Sequence, residues 1–82
     1  MKKDVEEYYS RYFDLFLHPG WKQFVEGIQD SLDEIADSRT IKDQRDLDFR
    51  QGQLRVLDHL LSFERLQKEV YEAILQEEDN DI

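Results

Sequence analysis

The side chains with chemical potential in this 82-residue chain are two histidines, four serines and twenty carboxylates. His18 and His59 stand alone. Helical metal sites pair their ligands one turn apart, as in His-Glu-x-x-His or Glu-x-x-His, and neither spacing occurs. Asp58 adjoins His59 in sequence, so it points in a different direction around a helix. Ser10, Ser31, Ser38 and Ser62 have no base nearby in sequence, and there is no cysteine to act as a nucleophile. Carboxylate pairs are plentiful, but an acid–base pair needs an apolar pocket that raises one pKa, and these fall on predicted solvent faces. Three separated glycines make no phosphate cradle. These residues predict no enzyme, no cofactor, no metal and no small-molecule ligand.

Charge points to binding instead. Eleven basic and twenty acidic residues give a net charge of −9, which disfavours direct contact with nucleic acid and suits a basic partner. The predicted second helix carries an acidic run, Glu26, Asp30, Asp33, Glu34 and Asp37, opposed only by Lys22. It reads as a solvated helix face that aids solubility, or as a mimic of phosphates that occupies a nucleic-acid enzyme. Solvation is favoured, because a mimic spreads carboxylates widely. Downstream, Arg50, Arg55, Arg65 and Lys68 alternate with the acids.

Long helices must position these groups, since there is one proline among 82 residues. Val5, Tyr8, Tyr9, Tyr12, Phe13 and Phe16 recur at helical spacing and predict a first helix over residues 4–17. Its tyrosines divide between core and interface. Pro19 in "HPGW" should end that helix near Leu17 and open a second over 19–37. The inner stripe of the second helix is Trp21, Phe24, Val25, Ile28, Leu32 and Ile35, with the acidic run opposite. In the connector, Thr40 with Asp43 and Asp43 with Asp46 offer two capping pairs. A third helix is expected over 44–77, roughly 50 Å long at 1.5 Å per residue, with residues 78–82 fraying.

Two apolar rows run along that third helix. One holds Leu47, Leu54, Leu57 and Leu61; the other holds Phe49, Gly52, Val56, Leu60, Phe63, Val70 and Ile74. Gly52 has three readings: a tolerated penalty of about 1 kcal/mol, a kink, or room for close approach. Its place in an apolar row favours close approach, with Trp21 as the covering ring. Arg50 and Gln53 then suit hydrogen bonds across a contact. The expected interaction residues are Trp21, Phe49, Arg50, Gly52, Gln53, Leu54, Phe63, Leu66 and Val70.

The segments "HPGWKQFVEGIQDSL" and "RTIKDQRDLDFRQGQLRVLDHLLSFE" carry a further signal. With Gly20-Trp21-Lys22, Ile41, Leu47, Phe49, Gly52, Leu57 and Phe63-Glu64, the chain resembles short acidic helical proteins of tailed bacteriophages, encoded near portal, scaffold and capsid genes. The resemblance spans about residues 8–75 and implies virion association, without catalytic residues.

Together these readings predict a single all-α domain of three helices, the second and third forming an antiparallel hairpin and the first packing across it through aromatics. A chain this short has a marginal core. Positions near Phe63, Leu66, Val70, Ile74 and Leu75 therefore need the first helix or another copy. The expected function is a non-enzymatic phage interaction module, self-associating or bound to a larger virion protein, with charge mimicry of nucleic acid as the alternative. There is no apolar run of about 18 residues and no secretory leader, so the expected location is the virion or the host cytoplasm, with no membrane partner.

Overall fold

Pro19 divides the first half of the chain as its chemistry requires. In the computed structural model, which describes residues 1–80, α1 covers Lys3–Leu17 and α2 covers Pro19–Ile35. His18 between them is extended at φ −72° and ψ 135°, the geometry that a following proline imposes. Its Nδ1 accepts the Gly20 N–H at 2.8 Å, and its carbonyl accepts the Trp21 N–H at 3.0 Å. His18 thus caps α2 in the position where Ser or Asp is commoner. A 3₁₀ turn, Ser38–Thr40, follows, with the Asp37 carboxylate accepting the Arg39 N–H at 3.1 Å. Asp43 then caps α3, Gln44–Leu61, by accepting the Asp46 N–H at 2.8 Å. Thr40 has another task and donates its hydroxyl to the Asp37 carbonyl at 2.9 Å.

The all-α class holds, but the long third helix is two helices. α3 ends at Leu61 and α4 covers Phe63–Asn80, making four α-helices among the described residues instead of three. Ser62 separates them at φ −85° and ψ −5°, its N–H still bonded to the Asp58 carbonyl at 3.0 Å. Serine competes with a helix through its own side chain, although no glycine or proline marks the break. Residues 78–80, expected to fray, belong to α4. Residues 81 and 82 of that expected tail lie outside the described residues.

The chain divides into two compact units. The first joins Met1–Lys22 to the chain from Phe63 onward. Here α1 and α4 run antiparallel: the Met1 ammonium meets Glu78 at 2.7 Å, Tyr9 and Phe13 lie 5.5 and 5.1 Å from Tyr71, and Tyr12 and Phe16 lie 5.1 and 6.0 Å from Phe63. Tyr9 and Phe16 are the buried core, at 8% and 5% exposure. Offset and edge-on ring pairs of this kind add about 0.5–1.5 kcal/mol beyond the area they bury. Of the three clustered tyrosines, Tyr9 and Tyr12 face this packing while Tyr8 is exposed.

The second unit, Gln23–Ser62, is built differently: none of its residues is buried. Val25, Ile28, Leu32 and Ile35 of α2, and Leu47, Leu54, Leu57 and Leu60 of α3, reach only half burial. Phe24, expected on the inner stripe, is exposed. Segments of about 40 residues or fewer usually need disulfides, metals or association to stay folded, and this chain has no cysteine.

Candidate interaction surface

The nine residues expected to make contacts fall on both units, and several already serve the chain's own packing. Trp21 lies 5.2 Å from Phe16 and 6.3 Å from Phe63, inside the aromatic cluster of the first unit. Its indole N–H donates to Glu64 Oε1 at 3.0 Å, and Lys68 Nζ donates to Glu64 Oε2 at 2.8 Å. The Lys68 ammonium holds Glu64 below the usual carboxylate range against the opposing effect of burial, with a smaller lowering from the indole. Phe63 shares the cluster, Leu66 is half-buried, and Val70 is exposed.

The expected ring over Gly52 is not found. A Cβ placed on Gly52 would meet nothing within 4 Å. Gly52 is open.

Arg50, expected to reach across a contact, instead closes the second unit. Its Nη1 donates to the Ile35 carbonyl at 3.1 Å and to Thr40 Oγ1 at 2.7 Å. Nη2 donates to the Thr40 carbonyl at 3.0 Å, and Nε to Asp46 Oδ2 at 3.2 Å. Ile35 ends α2, so the guanidinium satisfies an orphan carbonyl and sits at the negative end of that helix. The Lys42 N–H, helped by Arg50, lowers the Asp46 pKa against partial burial. A cleft of about 320 Å³ opens beside this clamp, lined by Glu34, Thr40, Phe49 and Gln53 among others.

Four of the five expected acids share one side of α2: Glu26, Asp30, Asp33 and Glu34, all exposed. Asp33 accepts the Gln29 amide at 2.9 Å. Asp37 lies beyond the end of α2 and pairs with Arg39 at 2.9 Å, which holds its carboxyl below the ordinary range.

What remains uncovered is one row of α3. Phe49 is 66% exposed and Val56 62% exposed, on either side of the open Gly52. Gln53 and Leu54, also expected at the contact, are half-buried. Val56 is the functional candidate that the expected set omitted, although its seven-residue spacing from Phe49 places it on the same face. Covering two such side chains is worth about 1.5–3 kcal/mol each. Among the described residues, no three His, Asp or Glu side chains converge as metal ligands, and no helix is long and apolar enough to cross a membrane.

Comparison with protein-family models, curated proteins and solved structures finds no match for this chain.

Proposed function

We propose that this protein is a non-enzymatic protein–protein interaction module, and that it serves as a structural or assembly component of a tailed-phage virion. One observation carries the first part: Gln23–Ser62 buries no side chain, while Phe49 and Val56 stand open on one face of α3. An apolar face on a unit without a core gains most of its stability when another chain covers it. Within that unit the Arg50 clamp ties the second turn of α3 to the end of α2. The virion context rests on the resemblance of "HPGWKQFVEGIQDSL" and the segment after it to phage proteins.

The test is mass spectrometry of purified particles from the encoding phage, with a photo-crosslinker in place of Phe49. Recovery in particles at many copies, with a protein crosslinked at Phe49, is the expected result. Absence from particles, with a host nucleic-acid enzyme captured by a second photo-crosslinker placed at Gln29 on α2, would favour mimicry by Glu26, Asp30, Asp33 and Glu34.

A further inference from the structure

The open face of α3 has a symmetry about Gly52 that bears on what covers it. Phe49 lies three residues before Gly52 and Val56 four after; Asp48 lies four before and Arg55 three after. At 100° per residue, Phe49 and Val56 share one strip, and Asp48 and Arg55 share the strip beside it. Both strips are exposed on both sides of the glycine. Asp48 has one oxygen on Gln44 at 2.9 Å, and Arg55 has no ion-pair partner among the described residues.

We propose that the occupant is a second copy of this chain, whose α3 pairs antiparallel across a two-fold axis passing near Gly52. This rests on reading the protein as an interaction module and names its partner. A two-fold axis perpendicular to both helices reverses one helix while keeping each flanking strip on its own side. Asp48 of each copy therefore meets Arg55 of the other, giving two equivalent opposite-charge pairs from one sequence pattern. Phe49 of each copy likewise meets Val56 of the other. Arg45 and His59, each seven residues from Gly52, fall opposite each other at the ends of the contact. Gly52 meets Gly52 at the crossing, where the missing side chains let the backbones come close. An unrelated partner would match this face only if it carried the same alternation reversed; a second copy carries it by construction.

A face one helix long is smaller than the roughly 800 Å² per partner of a standard interface, so a dissociation constant of about micromolar order is expected. Sedimentation of the full chain from about 1 µM to 1 mM should show a monomer–dimer equilibrium. Asp48→Arg alone and Arg55→Asp alone should each raise Kd about tenfold or more, by setting like charges opposite each other. The double exchange Asp48→Arg with Arg55→Asp should restore the original Kd, which only reciprocal pairing predicts. Gly52→Ala should weaken the dimer, and Gly27→Ala, open but on α2, should not. All these positions are exposed, so each variant should keep the wild-type far-UV circular dichroism spectrum. A chain that stays monomeric at 1 mM overturns self-pairing, as does a dimer without rescue by the double exchange. The interaction-module reading fails separately, when virions yield no protein crosslinked at Phe49.

Discussion

Three glycines sit in helices with different surroundings, and the differences make a test. A Cβ on Gly27 or Gly52 meets nothing within 4 Å, whereas on Gly20 it comes within 3.0 Å of His18 Nδ1. In dilute solution Gly27→Ala and Gly52→Ala should each stabilise the chain by about 0.5–1 kcal/mol, the penalty glycine carries inside a helix. Gly20→Ala should gain less, because the imidazole that caps α2 must move. Urea denaturation with an unchanged slope would measure this, and equal gains at all three sites would contradict the geometry. Arg50 makes the opposite case. Arg50→Lys keeps the charge but replaces a fork with a single ammonium, which cannot serve Ile35, Thr40 and Asp46 together. A loss of roughly 1–3 kcal/mol is expected, and a variant with wild-type stability would show that the clamp contributes little.

The elements differed in how readily the sequence revealed them. Pro19 is explicit punctuation: an expected start at residue 19 meets an α2 that begins at Pro19. The same dipeptide hid its second device, because histidine is an uncommon N-cap and composition gave no reason to expect one. His18→Ala should cost about 1 kcal/mol and His18→Asn should recover most of it. Hydrogen exchange at the Gly20 amide should quicken in the first variant and recover in the second; exchange unchanged in both would remove His18 from the cap. The break at Ser62 was not legible, because Leu60, Leu61 and Phe63 continue the apolar periodicity around it. The exposed row of α3 was half legible. Phe49 and Gly52 were visible through their spacing. Arg50's bonds were not legible, because a long charged side chain can turn to the end of a neighbouring helix, here Ile35 of α2, as well as reach a partner. Trp21's place beside Phe16 and Phe63 was not legible either, because those rings lie on α1 and α4, far apart in sequence.

Across the whole chain, both units depend on ionised carboxylates, and the sign of their pH dependence follows. Glu64 in the first unit, and Asp37 and Asp46 in the second, have pKa values below their ordinary 4.5 and 3.8. Groups lowered in the folded state add stability above their unfolded pKa and lose it as pH falls through the folded one. The Met1 ammonium is raised above 8.0 by Glu78, so its contribution is full below that value and fades as pH rises past it. Stability should therefore be level between about pH 5 and 7, fall below about pH 4, and decline modestly above about pH 8. Trp21 is the only tryptophan, and its indole touches Glu64, so its fluorescence follows the first unit. Glu64→Gln keeps an acceptor for the indole but removes the ionised partner of Lys68. Thermal melts followed by Trp21 should show lower stability at pH 6 and a shallower loss between pH 5 and 3 than wild type. Parallel acid losses in the two proteins would mean that the Glu64 carboxylate, placed between Trp21 and Lys68, does not link protonation to folding.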